Sequence, residues 1–289
     1  MLVVVALWAG NFTATKRAFD EFDPLVFTAI RFALASALLA ALAWRDPDFR
    51  RPPVGALARL LLLGFIGNTL YQLCFIEGLV RTSATSSSLI LASMPTAVTF
   101  AAGALGIERV TGRQRLATLV ATGGVVLVLS ARGMAPGGQR TGDLLMIGSV
   151  LFWSAYTLLM RRLALPMSSL ALTAWTTILG TPAFLLLALP AFASHGWPQV
   201  SATAWGGLLY ASLLSLIAAY LLWNRAVRAI GASRAAVYTC LTPLIAAAIA
   251  AAVLGERPTW LHVAGAALIV AGVIGSQRTT PPEAATAGA

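Results

Sequence analysis

The sequence predicts an all-α integral membrane protein of ten transmembrane helices, built as two inverted five-helix repeats. Three observations carry this expectation. The chain is 58% hydrophobic and 10% charged, with a mean hydropathy of +0.83, whereas a soluble domain has roughly 25% charged residues. Its apolar residues fall into ten stretches near the length of about 20 residues that a spanning helix needs. Its second half also repeats the first: Pro95 pairs with Pro243, Glu108-Arg109 with Glu256-Arg257, Thr111 with Thr259 and Gly124 with Gly272, each 148 residues apart. Ala84/Ala232 and Ala104/Ala252 keep that step. Trp8/Trp153 and Lys16/Arg161 are offset by 145, which a three-residue loop difference reconciles.

In chain order the spans lie near 1–19, 24–44, 57–79, 82–105 and 113–131, then near 142–162, 169–190, 202–223, 232–254 and 259–276. No basic stretch precedes the first, which distinguishes it from a signal peptide. Pro24 opens the second, and Arg31 lies inside it. The fourth is serine-rich ahead of Pro95, and the fifth closes on Gly123-Gly124. The sixth restates the first around Trp153, and the ninth carries Pro243. The repeats thus occupy 1–131 and 142–277, joined by a loop at 132–141 and followed by a Pro/Ala/Thr-rich tail, 278–289, expected to be disordered. Ten spans consume about 200 residues, leaving no room for a soluble catalytic or nucleic-acid-binding domain.

The net charge of +10 then reflects loop placement and not a nucleic-acid partner. The N-terminus, loops 2–3, 4–5, 6–7 and 8–9, and the C-terminus carry 13 of the 20 Lys and Arg, against 6 in the other loops. The positive-inside rule places both termini in the cytoplasm. Five crossings per repeat turn the second copy upside down, an arrangement that secondary transporters use. Glu77 and its repeat partner Arg225 change sign as they change side.

Polar and aromatic residues fall on stripes. Trp8, Asn11, Phe12 and Thr15 share one helix face in span 1, as do Asn68, Tyr71, Gln72 and Phe75 in span 3 and Trp153, Tyr156, Thr157 and Met160 in span 6. Span 8 offers Ser212, Ser215, Leu216, Tyr220 and Trp223. Amides facing lipid would leave donors and acceptors unsatisfied at several kcal/mol each, roughly, so they belong inside the bundle. Rings plus a few amides suit a small amphipathic solute; the competing reading is helix packing with amides as interhelical glue. Ser87, Leu91 and Tyr238 complete the candidate lining from spans 4 and 9. Ser83 and Ser86 to Ser88 read equally as cavity hydroxyls or as small residues for close packing. Trp44, Trp205 and Trp260 read as interfacial belt residues.

Pro95 and Pro243 sit inside spans 4 and 9, where each frees an i−4 carbonyl, of Leu91 and Thr239. They are candidate hinges for a gate, or static kinks. No Asp or Glu occupies the midplane of a span, which argues for facilitated transport over a carboxylate proton relay. Lys16, Glu77, Arg161 and Arg225 lie near span ends, within snorkelling reach. Arg31 reads first as a structural tie to carbonyls or to Asp20, Glu21 or Asp23, and second as a carboxylate-binding group at the outer vestibule. Glu108 and Glu256 fall on opposite membrane faces, so each reads as a local ion pair with Arg109 or Arg257, or as a helix cap. Cys74 and Cys240 read as packing residues, His195 and His262 have no metal partner, and Asn11-Phe-Thr13 lies in a span and is discarded as a glycosylation site. No catalytic residue, metal or cofactor is expected. Gly64…Gly67 and Gly265…Gly272 read as close helix packing.

Trp8-Ala-Gly-Asn-Phe12 with Lys16, Pro24 with Arg31, and the two stretches Pro95…Glu108-Arg109-Val-Thr111…Gly123-Gly124 and Pro243…Glu256-Arg257-Pro-Thr259…Gly265…Gly272 together resemble the EamA-type transporters of the drug/metabolite transporter superfamily. The resemblance covers essentially the whole chain and implies ten helices, inverted repeats and export of small metabolites. The aromatic-rich first, third and sixth spans look most like the YddG-type amino-acid exporters. The expected protein is therefore a bacterial inner-membrane carrier, monomeric or a weak dimer, that exports amino acids or similar metabolites by alternating access. The alternative cargo is cationic drugs or other metabolites, a cation being held by cation–π contact with Trp8, Trp153 or Trp223. A lipid-modifying enzyme would need clustered catalytic side chains that the sequence lacks, and a channel would favour charged constrictions or symmetric oligomer rings.

Overall fold

A computed structural model describes the chain apart from residues 51, 53, 54, 107–110, 131–136, 164, 196, 198, 223–237, 239, 240 and 278–289, and apart from the side chains at 95, 99, 102, 129, 137–139, 161, 195, 276 and 277. All regular structure among the described residues is helical. Span 1 is α1 (Leu2–Ala18) and span 2 is α2 (Pro24–Ala43), with a short α3 (Pro47–Arg50) in the loop beyond. Asp23 caps α2 by accepting from the backbone N–H groups of Leu25 and Val26 at 2.9 and 3.0 Å, and Pro24 fills the first helical position, where no N–H is needed.

Span 3 is a composite of α4 (Ala56–Gly64), a π-helical segment (Phe65–Leu70) and α5 (Tyr71–Arg81). Span 8 has the same construction: α11 (Ala202–Leu209) runs into a second π segment (Tyr210–Ala218). Span 4 is divided into α6 (Ala84–Leu91) and α7 (Met94–Ala104). The remaining helices are α8 (Gly112–Ser130), α9 (Gly137–Leu163), α10 (Ser169–His195), α12 (Thr242–Leu254) and α13 (Trp260–Gln277). Five helical stretches, 24–43, 56–81, 140–160, 169–194 and 202–222, are long and apolar enough to cross a bilayer.

The prolines depart from expectation. Pro95 does not kink a continuous helix. Span 4 breaks at Ala92-Ser93, and Pro95 is the second residue of α7, where its missing N–H has no helical partner to lose. Pro243 is likewise the second residue of α12. The α6 end is closed locally, with the Ser93 hydroxyl donating to the Ile90 carbonyl at 2.7 Å. Conversely, α10 runs through Pro182 and Pro190, past the end at 190 that the sequence suggests, and α9 starts at Gly137, ahead of 142.

Packing follows the duplication. α8 lies along α13, and α2 along α10. α1 touches α11, the second π segment and α12; in the other half α9 touches α4, the first π segment and α7. Exchanging the halves maps one set onto the other. At the α8–α13 crossing a Cβ on Gly124 would fall 2.7 Å from the Gly265 carbonyl, and one on Gly265 the same distance from the Gly124 carbonyl. The equivalent pair follows from the 148-residue step: a Cβ on Gly272 would fall 2.6 Å from the Ala117 carbonyl. Backbones approach this closely only where a side chain is missing.

Contacts between loops sort them into two ends. Glu21 accepts from the Ser201 N–H and hydroxyl, both at 2.6 Å, the Thr82 hydroxyl donates to Asp143 at 2.5 Å, and Glu256 accepts from the N–H groups of Ala84 and Thr85 at 2.8 and 3.0 Å. At the opposite end the Ser168 N–H donates to Asp48 at 2.6 Å and the Trp175 indole to the Phe49 carbonyl at 3.1 Å.

Candidate binding site in the helix bundle

The sequence-predicted stripes meet as a file of rings. Phe12 packs edge-on against Phe75 with centroids 5.7 Å apart. Phe75 stacks on Tyr71 at 6.2 Å, Tyr71 leans on Trp153 at 5.0 Å, and Trp153 on Tyr156 at 5.4 Å. Across from them Trp8 meets Tyr220 edge-on at 6.0 Å, and its indole N–H donates to the Ser215 carbonyl in the π segment at 3.2 Å. A π turn disrupts the i−4 ladder and is frequently found at functional sites.

Arg31 joins the two groups. Its guanidinium lies within electrostatic reach of both Tyr71 and Tyr220. It is only 4% exposed, and its Nε and Nη1 have no hydrogen-bond partner. This corrects the expected tie to an outer acid: Asp23 is committed to capping α2 and Glu21 to Ser201, and the ion pair found among the described residues is Arg81–Glu77. Gln72, 5% exposed, also has an unpartnered Nε2. Leaving a charged donor buried without a partner costs several kcal/mol, roughly. Asn11 is buried and accepts from the Thr15 hydroxyl at 3.3 Å. The Ser87 hydroxyl is fully buried without a partner, and Leu91 packs on the apolar cluster around Phe12 and Phe75.

Other candidates lie elsewhere. The π turn sets Asn68 against Gly180 of α10, where a glycine Cβ would come within 2.8 Å of it, so Asn68 leaves the face that i, i+3 spacing gave it. Ser212 is fully buried and donates to the Leu208 carbonyl of its own helix at 2.8 Å. Tyr238 is 39% exposed and, among the described residues, joins no ring of the file. Trp223 lies outside the described residues, as do Arg225, Glu108, Arg109 and Cys240. Tyr156 lodges over Gly67, whose added Cβ would fall 2.3 Å from its ring. The sequence reading missed Tyr210, whose hydroxyl donates to the Leu7 carbonyl at 3.0 Å and ties span 8 to span 1.

The end of the bundle that the charge pattern predicts to be outer is a second polar region. The Lys16 ammonium does not reach outward; it donates to the carbonyls of Leu79, at 2.9 Å, and Thr82 at the end of α5, where a cation complements the helix dipole. Glu256 caps the N-terminus of α6 rather than pairing within its own loop. His262, read as isolated, accepts the Thr259 N–H on Nδ1 at 3.1 Å and faces the Ser86 hydroxyl through Nε2 at 3.3 Å. These groups border a cavity of about 480 Å³. Hydrogen bonds from the Ser201 hydroxyl and N–H hold the Glu21 carboxyl below the usual glutamate range. Among the described residues no group of three His, Cys, Asp or Glu converges on a metal site.

An all-helical, multi-span membrane protein with a polar, aromatic interior is the class that this architecture defines. Residues 1–130 and 140–277 match the EamA-like transporter family, and the chain belongs to that family, within the drug/metabolite transporter superfamily. It is 30% identical over 276 residues to an uncharacterized transporter of Archaeoglobus fulgidus, covering 94% of each chain. It is 29% identical over 281 residues to a probable terminal-alkyne amino-acid exporter of Streptantibioticus cattleyicolor, covering 97% of this chain and 93% of the other. A solved crystal structure superposes with a TM-score of 0.68 at 18% identity, over 95% of this chain and 93% of that one, and shares the fold. The protein is a membrane transporter.

Proposed function

We propose that this transporter exports small amphipathic metabolites, amino acids including aromatic ones foremost, across the bacterial inner membrane by alternating access between two inverted repeats. Both termini are cytoplasmic in this reading, which the excess of Arg and Lys at one end supports. The observation that carries the proposal is the ring file of Phe12, Phe75, Tyr71, Trp153 and Tyr156 facing Trp8 and Tyr220, with buried amide and guanidinium donors among the rings. Rings take an apolar side chain, and donors take the polar end of a zwitterion. The contacts that repeat under exchange of the halves support an alternating cycle, with Pro95 and Pro243, each the second residue of its helix, as matched hinges. The amino-acid exporter among the relatives supports the cargo.

Counterflow uptake of radiolabelled amino acids into proteoliposomes tests this, comparing wild type with Trp153→Ala and Gln72→Ala. Saturable uptake that both variants lose by at least about ten-fold, equal to about 1.4 kcal/mol, is the expected result. A folded protein that moves no amino acid but moves lipophilic cations would overturn the cargo. Transport is facilitative in this reading, and a stoichiometric proton flux accompanying uptake would refute that part.

A further inference from the structure

We infer that Arg31 is the anchor for an anionic group of the cargo, so that a free carboxylate, and not the amino group, is what the site requires. The inference rests on the transport reading above and narrows its substrate class. Arg31 sits on α2, which packs against both α5 and the second π segment. Its guanidinium is therefore held where the two ring groups face each other, within reach of Tyr71 and Tyr220. Two of its three nitrogens have no partner although the residue is nine-tenths buried. Gln72, one residue beyond Tyr71, adds an unpartnered N–H donor.

The imbalance is one-sided. Arg31 has donors and no acceptor at all, and the free atom on Gln72 is also a donor. Four acidic groups at the outer end are engaged elsewhere, Glu21 with Ser201, Asp23 with the start of α2, Asp143 with Thr82 and Glu256 with the start of α6, and Asp20 makes no ion pair with Arg31. A carboxylate supplies two acceptor oxygens and a compensating charge, and Arg pairs with it more strongly than a neutral donor does. The surrounding rings then meet the apolar remainder of the same molecule. A cationic cargo would meet a like charge at this point, which is repulsive in a low-dielectric interior.

The test uses the intact protein in proteoliposomes, with leucine and phenylalanine, their carboxamides, and tetraphenylphosphonium as probes. Wild type should move the acids with at least ten-fold preference over the amides. Arg31→Gln should raise the KM for the acids at least ten-fold and so shrink the preference for acid over amide, and Arg31→Lys should fall between. Equal wild-type uptake of acid and amide overturns the anchor, and this arm does not depend on any variant folding. A folded Arg31→Gln protein that keeps the wild-type KM for the acids also overturns it, while leaving amino-acid transport intact. Wild-type uptake confined to tetraphenylphosphonium overturns the anchor and the amino-acid cargo together.

Discussion

The middle of the bundle and its outer end are both polar, but they treat polar groups in opposite ways. At the outer end Asp143 has Thr82, Glu256 has two backbone N–H groups, Lys16 has two carbonyls and His262 has Thr259 and Ser86. In the middle, the Arg31 guanidinium and the Gln72 amide bury N–H donors with no partner, whereas the unpartnered buried atoms of α6 are hydroxyls, those of Thr85 and Ser87. Satisfied polar groups fix a structure, whereas buried unsatisfied ones lower stability and so mark places with another use. The contrast separates the scaffold from the site without reference to any ligand.

The helix crossing that carries the scaffold should be the most sensitive place. Gly124→Val drives a side chain into the Gly265 backbone, which cannot rotate away, and should cost about 3 kcal/mol or more, read as a collapse of the thermal midpoint in detergent. Thr82→Val should cost about 2 kcal/mol by leaving the buried Asp143 carboxylate short of a donor; an unchanged midpoint would show that the outer end is not the satisfied region described. Arg31→Gln should break the pattern in the other direction, with stability unchanged or raised by up to about 2 kcal/mol because it removes an uncompensated buried charge. A large loss on Arg31→Gln would make Arg31 part of the scaffold. Glu256→Gln should lower stability by about 1 kcal/mol through the weaker interaction with the α6 N-terminus.

The smallest effect belongs to Glu21. Its carboxyl is held below the ordinary value of 4.5 by the Ser201 hydrogen bonds. A depressed folded-state pKa contributes stability that is fully present above the unfolded value and lost as pH falls through the folded one. Glu21→Gln should therefore cost a small amount of stability at neutral pH and flatten the acid limb of the stability profile, so that variant and wild type converge below about pH 4.5. Because the side chain is exposed, the change should also shrink with added salt.

Helix periodicity and repetition made much of this legible in advance. Trp8, Phe12, Tyr71, Phe75, Trp153 and Tyr156 were placed by spacing alone, because rings at i, i+3 and i+4 share a face whatever surrounds them. Gly64, Gly67, Gly265 and Gly272 read correctly as points of close approach. The π segments were not legible, since nothing in Phe65–Leu70 distinguishes an extra backbone residue from an α turn, and Asn68 was misplaced as a result. The proline rule failed in both directions: Pro95 begins a helix instead of bending one, while Pro182 and Pro190 leave α10 continuous. Arg31 was visible as an ionisable residue in a span, which is by default a functional signal. Its partners were assigned by nearness in sequence to Asp20, Glu21 and Asp23, and only the three-dimensional packing shows Glu21 and Asp23 occupied elsewhere and Asp20 making no ion pair with Arg31.

The reciprocal approach of Gly124 and Gly265, with its copy at Gly272 and Ala117, also constrains descent. A position that meets a neighbouring backbone admits small residues whatever the cargo is, whereas a position that meets the cargo is free to change with it. Transporters that diverged from a common duplicated ancestor should therefore keep small residues at 117, 124, 265 and 272 while positions 31, 72 and 153 drift from one specificity to the next. The crossing of α8 and α13 would then be the oldest part of the molecule still readable as it was first joined.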